Sequence, residues 1–189
     1  MKFLLRVASA IDALNGLVGR TAYWLVLAAV LVSAANALMR YTFNLSSNAW
    51  LELQWYLFGA VFLLCSGYTL LHNEHIRIDV LAGRLSRRAQ SWIDVFGLVF
   101  FLLPMALIIM WLSWPIFLDS YVHNETSANA GGLVRWPAKL LIPAGFMLLA
   151  AQGVSELIKR IAFLLGLIPD ALEKHRDPAL DILAKEPAK

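Results

Sequence analysis

His72 and His75 stand beside Glu74 and Asp79, a grouping of imidazole and carboxylate that suits zinc. A closed zinc site needs four ligands, and no further cluster follows, so these side chains read as headgroup contacts and no metal is expected. A haem held in a helical bundle takes its axial ligands from inside the bundle. All four histidines (His72, His75, His123 and His175) fall outside the chain's long apolar runs. Thiol–disulfide chemistry needs paired cysteines, and Cys65 is the sole cysteine. Cys65-Ser66-Gly67 resembles a nucleophile turn without a base to activate it. Inside the apolar runs the ionisable acids and bases are Glu52, Asp94 and Glu156, each within three residues of a run's end. This inventory predicts neither an enzyme nor a bound cofactor.

The elements that must position these residues are four apolar runs, Thr21–Met39, Trp50–Leu71, Trp92–Trp114 and Leu140–Leu157. About 20 helical residues match a hydrocarbon core of roughly 30 Å. A carboxylate at mid-bilayer costs at least ~2.5 kcal/mol, and less near the interface, which explains why the three acids sit at the ends. A composition of 60% hydrophobic and 15% charged residues excludes an ordinary soluble domain. A soluble helical bundle would also need polar helix faces that these runs lack. Tyr23, Trp24, Trp50, Trp55, Trp92, Trp111, Trp114 and Trp136 lie near run ends, as in interfacial aromatic belts. The expected fold is an all-α membrane protein of four transmembrane helices.

Before the first span, Leu4, Ala8, Ile11, Leu14 and Val18 recur at helical spacing, which predicts an amphipathic helix lying in the membrane plane. Gly16 and Gly19 would allow it to bend into the span. A basic interfacial segment connects spans two and three, where Arg84, Arg87 and Arg88 are candidates for anionic headgroup contact. Residues 1–165 form one membrane domain and 166–189 a polar, flexible tail. All sixteen Lys and Arg residues except Arg40, Arg135 and Lys139 fall on one side of this topology, which places both termini in the cytoplasm. The net charge of +3 therefore reports membrane orientation, not nucleic-acid binding. Ala35-Asn36-Ala37 has the form of a signal-peptide cleavage site. Twenty residues precede the run, however, and its removal would spoil the alternating charge pattern, so retention is expected.

Smaller signals fill in the spans. Ser46, Ser47 and Asn48 are cap candidates for the second span. Pro104 predicts a kink in the third span and Pro115 a break at its end. Arg40 and Glu52 share a depth across a short hairpin, which predicts an ion pair between them. At the opposite depth Asp94, Gln152, Glu156 and Lys159 are placed to form a polar clasp between spans three and four. Gly59, Ser66, Gly67, Gly97, Ala144, Gly145, Ala150 and Gly153 are small positions that allow close helix approach. No internal repeat marks a self-sufficient secondary transporter.

Read in order, several segments resemble the small membrane subunit of TRAP (tripartite ATP-independent periplasmic) transporters. They are Arg40-Tyr41-Thr42-Phe43-Asn44, Trp50-Leu51-Glu52-Leu53-Gln54 and His75-Ile76-Arg77-Ile78-Asp79. Further along are Gly131-Gly132-Leu133-Val134-Arg135-Trp136-Pro137 and Ile142-Pro143-Ala144-Gly145-Phe146, through Gln152-Gly153. The resemblance implies an inner-membrane subunit that braces a large multi-span subunit in sodium-coupled uptake of an organic anion delivered by a periplasmic binding protein. Carried over, it assigns Arg40, Trp50, Glu52, Gln54, His75, Arg77 and Asp79 to fixing spans or gripping the large subunit. Gly131, Gly132, Arg135, Trp136 and Pro137 become candidates for contact with the binding protein. Two other readings stay open at this point: an anchor for another membrane complex, and an independent dimeric transporter.

Overall fold

The computed structural model describes residues 1–45, 47–72 and 85–169. Its helices are α1 (Lys2–Phe43), α2 (Asn48–Leu64), α3 (Ser66–Leu71), α4 (Arg87–Gly97), α5 (Leu103–Val122) and α6 (Trp136–Leu164), with a π-helical segment, Leu98–Leu102, joining α4 to α5. Helix α3 continues α2 across Cys65, and α4, the π segment and α5 form one rod. The described residues thus contain four helices long and apolar enough to cross a membrane, of 42, 24, 36 and 29 residues. We refer to the end carrying Arg6, Arg87, Lys159 and Arg160 as the basic end, and to the other as the loop end.

Helix α6 is the centre of the bundle. Of its most apolar stretch 44% is buried, against 11–17% for the other three rods. Glycine makes this centrality possible. A Cβ on Gly145 would stand 2.7 Å from the Leu63 carbonyl oxygen, so α2 and α6 touch backbone to backbone. Gly19 of α1 similarly receives the ring of Tyr68 from α3. In lipid, where apolar surface gains nothing by leaving its solvent, such close approach supplies the van der Waals term that holds helices together.

The structure corrects three sequence expectations. Residues 2–20 are not a separate in-plane helix: α1 is uninterrupted. Its buried residues Ala8, Asn15 and Gly19 face the bundle, and Gly19 serves as a contact point, not as a bend. Pro115 does not end the third span, because α5 runs through it to Val122. Membrane helices tolerate such prolines; in the turn before it the Ser113 hydroxyl back-bonds to the Ile109 carbonyl at 2.7 Å. Pro104 produces a wider turn. A proline lacks an amide N–H and crowds the carbonyl four residues back. Here the Leu103 amide reaches back five residues to the Leu98 carbonyl, and the π segment absorbs the misfit.

The interior wall formed by Gly145 yields a direct test. Gly145→Val should destabilise the solubilised protein by about 1–3 kcal/mol, since Leu63 backbone atoms cannot yield to a new side chain. Gly59→Val, whose added Cβ meets no atom within 4 Å, should leave the thermal unfolding midpoint nearly unchanged.

Candidate functional site

Polar side chains of the described residues gather in two layers, one at each end of the bundle. At the loop end the organising residue is Glu52, one turn into α2 and 4% exposed. Its carboxylate accepts hydrogen bonds from the Ser127 hydroxyl, from Asn129 Nδ2 at 2.8 Å and from the Leu133 amide at 2.7 Å. The segment between α5 and α6 is thereby folded onto α2. Thr126 and Val134 pair as an isolated antiparallel bridge, while Asn48 Nδ2 donates to the Ala130 carbonyl and the Tyr56 hydroxyl to the Val134 carbonyl. Gly131 has φ +70, a left-handed conformation that L side chains disfavour. A Cβ on Gly132 would stand 2.9 Å from the Glu52 carboxylate. The two glycines therefore let the loop turn and then close over the acid.

Arg40 is not the partner of Glu52, contrary to the sequence expectation. It is exposed beside its neighbour Tyr41, with the guanidinium 5.3 Å from the ring centroid. Three neutral donors satisfy the carboxylate instead, which spares the desolvation of a guanidinium at this depth. Between α1 and α2, Gln54 Nε2 donates to the Ser33 hydroxyl at 3.1 Å. Ser47 occupies the N-cap of α2 without a side-chain capping bond, and Ser46 lies outside the described residues.

The same loop carries a charged rim. Glu125 pairs with Arg135 at 3.5 Å and with Lys139 on the first turn of α6. The Lys139 ammonium, hydrogen-bonded to it, holds the Glu125 carboxyl down at about 2. Trp136 packs edge-on against Tyr121, with centroids 5.4 Å apart, and Pro137 occupies the first turn of α6, where a missing amide costs nothing. Trp50 is half exposed at the start of α2.

The second layer lies at the basic end and joins three rods. Asp12 of α1 accepts from Gln152 Nε2 at 2.8 Å and from the Ser155 hydroxyl at 2.7 Å, and pairs with Lys159 at 3.0 Å. Asn15 Nδ2 donates to Gln152 Oε1 at 2.9 Å. Glu156 pairs with Lys159, and Arg160 bridges Asp94 of α4 at 3.4 Å to Glu156 at 4.0 Å. The clasp foreseen from Asp94, Gln152, Glu156 and Lys159 is present and reaches further, to α1. Asp12 and Asn15 were missed because the first residues were assigned to the membrane surface. Two polar residues three apart, on the face that also carries Ala8, were the available signal. His75, Arg77, Asp79 and Arg84 lie outside the described residues, whereas Arg87 and Arg88 are exposed at the start of α4.

A family model described as "Tripartite ATP-independent periplasmic transporters, DctQ component" matches residues 29–163, well over half of the chain. The chain belongs to this family. No curated protein and no solved structure matched it. The DctQ component is a membrane part of a transporter, and it works with a larger membrane subunit and a substrate-binding protein.

Two measurements test the loop-end latch. Glu52→Ala removes the acceptor of three donors, so amide hydrogen exchange across residues 125–135 should rise by at least about tenfold. Arg40→Ala should leave that exchange unchanged. A carboxyl with a depressed folded pKa contributes stability that is complete above its unfolded value and lost as pH falls through its folded one. The Glu125 contribution to loop order should accordingly be full above pH 4.5 and fade as the pH falls towards about 2; Glu125→Gln should weaken that dependence in the same exchange experiment, the remainder belonging to the Glu52 carboxylate that holds the same segment.

Proposed function

We propose that this DctQ component is the static small subunit of a sodium-coupled TRAP transporter for an organic anion, bracing the scaffold of the large subunit in a bacterial inner membrane with both termini in the cytoplasm. The carrying observation is the distribution of polarity. Each end of the bundle is tied by a dense polar layer, while the described residues between them bury no charged side chain, Arg20 of α1 being exposed. Ion and substrate pathways through membranes require ionisable or coordinating groups at depth, so coupling chemistry is assigned to the large subunit. A helix bundle latched at both faces is suited to resisting deformation when a neighbouring body moves.

In this reading the exposed loop-end surface, with Arg135 at its rim and Gly131 at its turn, meets the substrate-binding protein. His75, Arg77 and Asp79 grip the large subunit at the cytoplasmic side, and Arg84, Arg87 and Arg88 rest on anionic headgroups. Arg40 and Trp50, exposed at the loop end, are available to the large subunit there. Glu52 and Gln54 act within the bundle, through Ser127, Asn129, Leu133 and Ser33. The basic-end excess of Lys and Arg supports the orientation by the positive-inside rule.

Reconstitution in liposomes provides the test. Uptake of an organic anion under an inward sodium gradient should require this chain, its large subunit and the binding protein together, and this chain alone should give none. Sodium-driven uptake by the isolated chain would falsify the static role.

A further inference from the structure

Arg20 is a charged residue that neither polar layer takes up. Along α1 it lies eight residues beyond Asp12 of the basic-end layer and thirteen before Ser33, which receives Gln54 near the loop end. At 1.5 Å per residue those intervals are about 12 and 20 Å, so Arg20 stands between the layers. Its neighbours place it at the depth of the span interiors. Gly19 receives the ring of Tyr68, and Asn15, five residues nearer the basic end, meets Gly67 beside the Leu148 carbonyl. Leu148 sits midway along the apolar run Leu140–Leu157.

The side chain is exposed on the surface of the bundle. Among the described residues its one hydrogen bond runs from Nε to the Gly16 carbonyl of its own helix, at 3.1 Å. Four of the five guanidinium N–H groups are thus unmet by those residues. A guanidinium presented to hydrocarbon without a counter-charge is strongly disfavoured, and arginines at such depth face another helix or water and pair there. A lipid phosphate is the rival anion. The bond to Gly16 holds the guanidinium about 6 Å on the loop-end side of Asp12, so a phosphate would have to sink past the basic-end layer to reach it. The surrounding face suits a helix better. Ser9, Ala13, Gly16 and Arg20 recur at helical spacing, turned away from the buried Asn15 and Gly19. Their small side chains allow a second backbone to come close, and a Cβ on Gly16 would meet no atom within 4 Å.

We propose that this face of α1 docks a membrane-spanning helix of the larger transporter subunit, and that this helix brings a carboxylate to the depth of Arg20. The planar fork of the guanidinium matches both oxygens of a carboxylate, and the open notch at Gly16 gives that acid its way in. Pairing removes both charges from contact with lipid and fixes the height of one subunit against the other. The contact rests on the assembly proposed above and adds where the partner sits. Arg20 precedes the matched residues 29–163, so the family match does not itself extend to this contact.

The test uses the full-length chain co-expressed and purified with its large subunit, carrying a photocrosslinker at position 17, exposed beside Arg20. The expected product joins position 17 to a large-subunit peptide that contains Asp or Glu, identified by mass spectrometry. Arg20→Glu sets two carboxylates against each other and should lower recovery of the large subunit roughly tenfold or more. The thermal unfolding midpoint of the chain alone should not move. Arg20→Gln removes the charge without adding repulsion and should fall between the two, which keeps the test decisive if the first variant folds poorly. Changing the captured acid to Arg should restore recovery with Arg20→Glu. Crosslinks to lipid, to this chain or to a second copy of it would overturn the surface, as would no crosslink at all. So would full recovery of the large subunit with both Arg20 variants. Sodium-driven uptake by the isolated chain would sink the static role and leave this contact standing, so the two readings fail separately.

Discussion

A carboxylate taken from water towards hydrocarbon must be met by donors that the protein itself supplies, and this bundle is organised around meeting that demand at both of its ends. At the loop end, Glu52 draws in two side chains and a backbone amide from a segment far along the chain, and so fixes how α5 connects to α6. At the basic end, Asp12, Asp94 and Glu156 share Lys159 and Arg160, with Gln152 and Ser155 donating to Asp12 and Asn15 donating to Gln152. Losing a single partner in such a layer leaves a charge stranded at low dielectric, which costs more than the pair itself contributes. The acids thus dictate which helices neighbour one another, and apolar packing fills the space between.

That filling relies on α6 being approachable from every side. Pro143 and Gly145 are buried near its loop end, and Gln152, Gly153, Ser155 and Glu156 towards the basic end. Small side chains admit neighbouring backbones, while the long polar ones reach specific partners on α1. Gln152 serves two of them, accepting from Asn15 and donating to Asp12. An interhelical bond of this type contributes only ~0.6 kcal/mol on average; the network acts chiefly by excluding alternative rotations of α6 about its axis.

Much of this was legible in the amino-acid sequence, and the remainder fails for identifiable physical reasons. Hydropathy reads the spans because a bilayer imposes one length and one polarity on whatever crosses it. The clasp of Asp94, Gln152, Glu156 and Lys159 was legible from depth alone, since polar residues at one level of a bundle have few partners other than each other. The Arg40–Glu52 expectation failed because opposite charge is visible in sequence, whereas the backbone amide of Leu133 is invisible there. The fate of Pro115 was hidden because a proline's cost depends on how its surroundings hold the flanking turns, and α5 continues through it to Val122. The first twenty residues misled through periodicity. An apolar stripe looks the same whether it faces lipid headgroups or another helix, and only the polar pair Asp12 and Asn15 distinguishes the two.

The continuity of α1 has a mechanical corollary. At 1.5 Å per residue its 42 residues extend about 63 Å, roughly twice the hydrocarbon thickness. A rod of that length without a joint, pinned near one end through Asp12 and nearer the other through Ser33, cannot flex locally in response to a push. Any load applied at one water-facing surface must be carried whole to the other, as torque or tilt.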